Sequence, residues 1–80
     1  MRPDLHASRS LLEDLKLFCT VVRKHSFSAT AAELGVSNAF VSKRIAVLEQ
    51  TLGVRLLHRT TRTLALTDHG TVVHQWALDR

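Results

Sequence analysis

The sequence predicts a small, mainly α-helical domain with one short β-hairpin, and three observations support this fold class. Apolar residues recur at helical spacing over residues 11–22 and 41–52. Gly35 and Gly53 stand where helices would end. Two short apolar segments flank a polar stretch at residues 58–63, which predicts a hairpin. The chain of 80 residues is expected to form one domain, which buries only about 60% of its unfolded surface.

The composition indicates a folded, basic protein. Hydrophobic residues make up 45% of the chain, the net charge is +4 and the sequence pI is about 10.2. This charge favours polyanionic partners, nucleic acid above all, although a solvated basic surface without a partner has the same charge. The single cysteine, Cys19, excludes an internal disulfide and fits a reducing compartment. We expect a cytoplasmic location without a membrane partner, because no apolar segment resembles a membrane span or a signal peptide.

A flexible leader, residues 1–10, is expected to precede the first helix, because these residues mix proline, charged and polar types without a period. Ser10 is the predicted N-cap of that helix, and Glu13 completes a capping box with it. The helix is predicted to extend to about Lys24, with basic residues that suit its C-terminal end.

Two helices joined by one tight turn are predicted over residues 26–49. Ser28 is the predicted N-cap of the short second helix, which ends at Gly35. Ser37 is the predicted cap of the third helix, which ends at Gly53. This pattern is typical of a helix-turn-helix, in which the second helix of the pair lies in the DNA major groove.

The remaining residues predict a two-stranded wing and a fourth helix. The strands are expected at residues 54–57 and Leu64–Leu66, on either side of the polar tip. Thr67 is the predicted cap of the fourth helix, which we expect to continue in a longer protein. The predicted divisions of the chain are the leader at 1–10, a winged helix-turn-helix domain with a three-helix core at 11–66, and the start of a long linker helix at 67–80.

The N-terminal part of the third helix carries the candidate base-reading side chains. Asparagine pairs with adenine, lysine donates to guanine, serine bonds base edges or phosphate, and alanine and phenylalanine can touch a thymine methyl group. Packing against the second helix is an alternative role for Phe40. The candidate base contacts are Asn38, Ala39, Phe40, Ser42 and Lys43.

Basic and hydroxyl side chains around this helix are candidates for contact with DNA phosphates or the minor groove. The basic residues cluster in the third helix and the wing, where Glu49 is the single acid. Two alternatives stay open: Arg44 pairs with Glu49 or a neighbouring acid, and Ser28 and Ser37 only cap helices. The candidate backbone or wing contacts are Ser26, Ser28, Thr30, Ser37, Arg44, Arg59 and Arg62.

Other chemistries do not fit the spacing of the residues that would perform them. The 5 histidines are scattered and only 1 cysteine accompanies them, so no metal site is expected. The 3 glycines form no phosphate-binding loop, and no carboxylate pair or nucleophile marks a catalytic site. We therefore expect neither enzymatic activity nor a cofactor.

Several short motifs between residues 15 and 77 match the pattern of a known family. They are Leu15-Lys-Leu-Phe18, Ser26-Phe-Ser-Ala-Thr-Ala-Ala-Glu-Leu34, Val36-Ser37, Val41-Ser42, Ile45, Leu48-Glu49, Leu52-Gly53, Leu56-Leu57, Arg59, Leu66-Thr67 and Gly70. In combination they resemble the N-terminal DNA-binding domain of LysR-type transcriptional regulators.

The resemblance implies a linker helix that dimerises, a C-terminal domain absent from this chain that binds a small effector, and a tetramer when the protein is full length. It also implies action at bacterial promoters with dyad-symmetric operators. Base contacts would come from the start of the recognition helix, and wing contacts from Arg59 and Arg62. Trp76 is interpreted as core or dimer surface. The candidate dimerisation residues are Val73, Trp76, Ala77 and Arg80.

The chain departs from the family pattern in the recognition helix. Many members have Gln followed by Pro or Ser where this chain has Asn38, Ala39 and Phe40. Lys43 stands where arginine is frequent, and a lysine lacks the planar guanidinium fork. An unusual operator preference is therefore expected.

The predicted function is sequence-specific binding of double-stranded DNA by a bacterial LysR-type regulator. The recognition helix would lie in the major groove, and the wing would contact the adjacent backbone or minor groove. Two alternatives remain: a winged-helix module that binds protein, and a sequence-blind architectural DNA-binding protein.

Overall fold

Four α-helices and a two-stranded antiparallel sheet make up residues 3–59 and 64–78, the part of the chain that the computed structural model describes. Side chains are described from residue 11 onwards within these ranges. The winged helix-turn-helix fold predicted from the sequence is confirmed. The elements are α1 at Pro3–Lys24, α2 at Phe27–Leu34, α3 at Asn38–Leu52, β1 at Leu57–Arg59, β2 at Leu64–Leu66 and α4 at Asp68–Leu78.

Helix α1 begins at Pro3, so the prediction that Ser10 caps this helix is wrong. Proline fits the first turn of a helix, because its ring presets φ and its missing N–H needs no partner there. Residues 4–10 contain no glycine or second proline that would interrupt the helix. The segment predicted as a leader is therefore helical from Pro3 onwards, and the predicted end at Lys24 is confirmed.

Ser26 caps α2, so the prediction of Ser28 as the cap is wrong. The backbone of Ser26 is extended, with φ −165° and ψ 131°, and its Oγ accepts a hydrogen bond from the Ala29 N–H at 3.0 Å. The helix consequently starts at Phe27.

The turn and the two ends of α3 follow the prediction. The Oγ of Ser37 accepts a hydrogen bond from the Phe40 N–H at 3.0 Å, which caps α3. Gly35, with φ 71°, ends α2, and Gly53, with φ 74°, ends α3. Glycine adopts this left-handed conformation without the Cβ clash that other residues meet.

The core lies where the first three helices meet. Val41, Ile45 and Leu48 share one face of α3 and are fully buried. They belong to one cluster with Phe18 and Val21 of α1, which are also fully buried. This burial fixes which face of α3 remains outside.

The wing strands pair with Leu57 opposite Leu66 and Arg59 opposite Leu64. The first strand was predicted at residues 54–57 but begins at Leu57. The N–H of Leu56 does not donate to a strand, because it donates to the buried carboxylate of Glu49 in α3 at 2.8 Å. That carboxylate also accepts from the Leu57 N–H at 3.3 Å, so it joins α3 to the start of the first wing strand.

Thr67 joins the second strand to α4 and is the cap that the sequence predicts. Its Oγ1 accepts a hydrogen bond from the Gly70 N–H at 2.9 Å, while its own N–H donates to the Leu56 oxygen at 3.0 Å. Gly70 is buried against Leu56, so the start of α4 lies directly on the backbone at the base of the wing.

Candidate nucleic-acid interface

The N-terminal half of α3 presents to solvent the side chains that the core does not use. The exposed side chains lie away from the face that carries Val41, Ile45 and Leu48. Residues three or four positions apart share one face of a helix, so the positions between them fall on its other faces. Phe40 is 46% exposed, so it is not a core residue. The exposed candidates are Asn38, Ala39, Phe40 and Lys43, and Ser42 is half-buried beside them.

Asn38 and Ser28, which were predicted as a base contact and a backbone contact, meet across the turn. The Nδ2 of Asn38 donates to the Ser28 Oγ at 2.9 Å, and both residues are exposed. The Asn38 amide retains a second N–H and its carbonyl oxygen. These are the two groups that a bidentate contact with adenine requires.

Thr30 lies inside the domain, so its prediction as a phosphate contact is wrong. Its side chain is fully buried, its hydroxyl donates to the Ser26 carbonyl at 2.8 Å, and its backbone N–H donates to the same oxygen at 3.2 Å. Ser26 and Ser37 use Oγ as cap acceptors, yet each hydroxyl retains a proton that a phosphate could accept.

Arg44 forms an ion pair with Asp14 of α1. Its Nε donates to Oδ1 at 2.8 Å and its Nη2 donates to Oδ2 at 2.7 Å, while Asp14 is 5% exposed. These hydrogen bonds raise the pKa of the Arg44 guanidinium further, so the group stays charged. The structure therefore places Arg44 in the pairing with a neighbouring acid that the sequence left open.

Arg59 brings the wing into contact with both helices of the turn motif. Its Nη1 donates to the Ser42 Oγ in α3 at 3.0 Å, and its Cζ lies 5.2 Å from the centroid of the Phe27 ring in α2. A guanidinium at this distance from an aromatic face is attracted by the ring quadrupole. Arg59 is exposed, and its guanidinium has further N–H groups besides the one that Ser42 accepts.

An open groove of about 630 Å³ separates the second half of α3 from the wing. Arg55 and Arg59 line it together with Gln50 and Glu49. The Nε of Arg55 lies 3.5 Å from the Glu49 Oε2, yet 68% of the Arg55 side chain is exposed. The surface that continues from the recognition helix to the wing is therefore basic.

The structural roles of Asp14 and Glu49 were not predicted. One feature of the sequence could have indicated a structural role for Glu49: it is the single acid in a basic segment. No feature of the sequence indicated the role of Asp14, because its partner Arg44 is 30 residues away in the sequence. Arg62 and Arg80, the last of the predicted site residues, lie outside the described part of the chain.

Three of the four predicted dimerisation residues, Val73, Trp76 and Ala77, lie along α4. Val73 packs against the core, Ala77 is half-buried, and Trp76 is 45% exposed. Trp76 and Leu78 line an apolar groove of about 480 Å³ with Leu12 of α1. This face of α1 and α4 is suited to a further apolar contact.

Among the side chains described, those of residues 11–59 and 64–78, no cluster of histidine, cysteine and acidic groups could hold a metal ion. No helix within residues 3–59 and 64–78 is both long and apolar enough to cross a membrane.

Comparison with known proteins identifies the family. Residues 12–71 match the model described as "Bacterial regulatory helix-turn-helix protein, lysR family". The chain is 60% identical over 67 residues to the HTH-type transcriptional regulator DmlR of Escherichia coli, an alignment that covers 84% of this chain and 22% of DmlR. The chain thus spans about a fifth of the length of the curated relatives it matches, 22% for both DmlR and the activator TtdR.

Two similar solved structures contain DNA. The BenM DNA-binding domain in complex with catB site 1 DNA has a TM-score of 0.80 and 34% identity, covering 85% of this chain and 76% of that chain. The CbnR DNA-binding domain in complex with DNA has a TM-score of 0.80 and 32% identity, covering 85% of this chain and 78% of that chain. With most of its length matched by the family model, the chain belongs to the lysR family of bacterial regulatory helix-turn-helix proteins.

Proposed function

We propose that this domain binds double-stranded DNA in a sequence-specific manner, as the DNA-binding part of a bacterial LysR-type transcriptional regulator. The observation that carries the proposal is the exposed N-terminal face of α3, which lies beside a basic wing and has no packing role in the core. The similarity to two domains solved as DNA complexes supports it.

The recognition helix α3 would enter the major groove with its N-terminal half towards the base edges. Asn38 would pair with adenine, and Lys43 would donate to guanine. Ser42 would bond a base edge. Ala39 and Phe40 would contact thymine methyl groups. The exposed ring of Phe40 is suited to such an apolar contact.

Contacts with phosphate would position α3 without reading sequence. The exposed hydroxyls of Ser28 and Ser37 and the half-buried hydroxyl of Ser26 lie at the starts of α2 and α3, where helix dipoles also favour anions. Arg59 and Arg62 would hold the wing on the adjacent backbone or minor groove. Arg44 would act indirectly, through the ion pair that fixes α3 against α1.

The longer protein would act as a homodimer through α4 and its continuation, with Val73, Trp76, Ala77 and Arg80 in the contact. A dimer would recognise inverted half-sites, because operator symmetry follows protein symmetry. A C-terminal domain beyond this chain would bind the small effector and support a tetramer. These proteins would act in the cytoplasm, where bacterial promoters are found.

Binding-site selection from random duplexes at moderate salt tests the proposal. We expect one enriched motif, whose bases can be assigned to Asn38, Ser42 and Lys43. Retention of DNA without enrichment would mean backbone-only binding. No retention at all would contradict the proposal and favour a protein-interaction module.

Lys43→Ala is expected to weaken binding to the selected motif by about 1–3 kcal/mol and to relax the preference at one base pair, because the ammonium group donates to that base. Arg23→Ala is the matched control: it removes the same charge from an exposed side chain that pairs with Glu33. Fluorescence anisotropy with the motif and with single-base variants measures both effects. Equal binding by the Lys43 variant and the parent would remove Lys43 from the interface.

A further inference from the structure

We propose that Arg59 is a positioning residue for base recognition: it holds the Ser42 oxygen as an acceptor, so that Ser42 acts in the groove as a hydrogen-bond donor. The inference rests on the proposed DNA-binding function and specifies one contact within it. It gives Arg59 a role in specificity besides any contact with phosphate.

The position of the Arg59 guanidinium is fixed from two directions. The face of Phe27, the first residue of α2, lies 5.2 Å from its Cζ, and the Ser42 Oγ of α3 lies 3.0 Å from its Nη1. The backbone of Arg59 is held in turn by β1, opposite Leu64. One side chain therefore links the wing, α2 and α3 at the surface that would face DNA.

The hydrogen bond determines what the Ser42 hydroxyl has left to offer. A hydroxyl has one proton and two acceptor lone pairs, whereas a guanidinium only donates. The Arg59 bond therefore occupies a lone pair of Ser42 and turns its proton away from the guanidinium. The positive charge also polarises the hydroxyl, which strengthens its donor character.

Three threonine hydroxyls in the helices have a different kind of partner. Thr20, Thr30 and Thr71 each donate to the carbonyl oxygen four residues earlier, at 3.0, 2.8 and 3.1 Å. Ser42 instead accepts from a side chain of the wing, so its proton remains available to an outside acceptor.

A donor at this position prefers particular base edges. In the major groove guanine presents N7 and O6, adenine N7 and thymine O4 as acceptors, whereas cytosine presents an amino group that only donates. Ser42 would therefore favour a base with an acceptor and disfavour cytosine at the position it reaches.

Proton NMR of the free domain tests the geometry without DNA. The Phe27 ring current should shift the Arg59 side-chain protons upfield, and Phe27→Leu should abolish this shift while it keeps an apolar side chain. Unshifted Arg59 protons in the parent would overturn the inference before any DNA is added.

Binding of the selected motif then tests the coupling in four proteins: the parent, Phe27→Leu, Ser42→Ala and the double variant. We expect Phe27→Leu to lower the preference at the Ser42 base pair about two- to fivefold, which corresponds to one exposed cation–π contact. Ser42→Ala should act at the same base pair, and the double variant should lose no more than Ser42→Ala alone. Additive losses, or losses at different base pairs, would overturn the inference.

The salt dependence and a second variant separate this role from a plain phosphate contact. Phe27→Leu removes no charge, so the slope of log K against log salt should equal that of the parent, and a reduced slope would overturn the inference.

Arg59→Lys keeps the charge but loses the planar fork of the guanidinium, so it should weaken the base preference at the base pair that Ser42 contacts. Arg59→Lys also tests the inference if Phe27→Leu does not fold. An unchanged base preference in Arg59→Lys would overturn the inference. A parent that selects no motif would contradict the proposed function itself, whereas the NMR result would still report on the geometry.

Discussion

Gly70→Ala is expected to destabilise the domain by about 3 kcal/mol or more, because an added Cβ would overlap the backbone oxygen of Leu56. The clash cannot be relieved by a side-chain rotation. The N–H of Leu56 is held by Glu49, and its carbonyl oxygen accepts from the Thr67 N–H. Urea unfolding followed by circular dichroism measures the change in the free energy of unfolding.

Gly53→Ala is the comparison for this prediction. A Cβ at Gly53 meets nothing within 4 Å, so the only penalty is the left-handed backbone with φ +74°. That penalty is about 1–2 kcal/mol. If the alanine at position 70 were tolerated as well as the alanine at position 53, the close approach of α4 to the base of the wing would be contradicted.

Arg44→Met is expected to cost about 3–5 kcal/mol of stability, because it leaves the Asp14 carboxylate buried without its guanidinium partner. Asp14 is only 5% exposed, and both of its oxygens accept hydrogen bonds from Arg44. The double variant Asp14→Leu with Arg44→Met removes both charges and should recover most of the loss, since an apolar pair of similar volume can replace a buried ion pair. Urea titrations of the parent, the single variant and the double variant give the comparison.

The double variant also tests the role of Arg44 at the interface. If Arg44 acts only by fixing α3, the folded double variant should bind the selected motif with the salt slope of the parent. A slope reduced by about one would mean that Arg44 contacts a phosphate after all. If Arg44→Met were as stable as the double variant, the ion pair would not be needed to hold α3 against α1.

The features that could be predicted from the sequence are those whose causes lie within a few residues. Ser37 caps α3 through a bond to Phe40, and Gly35 and Gly53 end helices through their own backbone angles. The exposed face of α3 could also be predicted, because the spacing of Val41 and its buried neighbours determines which side of the helix faces the core.

The features that could not be predicted depend on partners brought close only by folding. Arg44 lies 30 residues from Asp14, so no local pattern distinguishes it from a free surface cation. Thr30 looks like an exposed hydroxyl in the sequence, yet the packing of the helices buries it completely. Ser26 is the cap instead of Ser28 because Ser26 adopts the extended backbone conformation. Both positions hold serine, so residue type alone does not distinguish them.

The separation of the two faces of α3 has a consequence for how the family diversifies. Asn38, Ala39 and Lys43 are exposed, so their replacement changes no buried contact, whereas the stripe that holds the helix in place need not change. Mutations at the exposed positions are therefore expected to be close to neutral for folding, and under the proposed function they would be exposed to selection mainly through the promoter that the domain recognises. Duplicated copies of a regulator built in this way could then acquire different target genes without first acquiring extra stability, while the buried face of α3 stays unchanged.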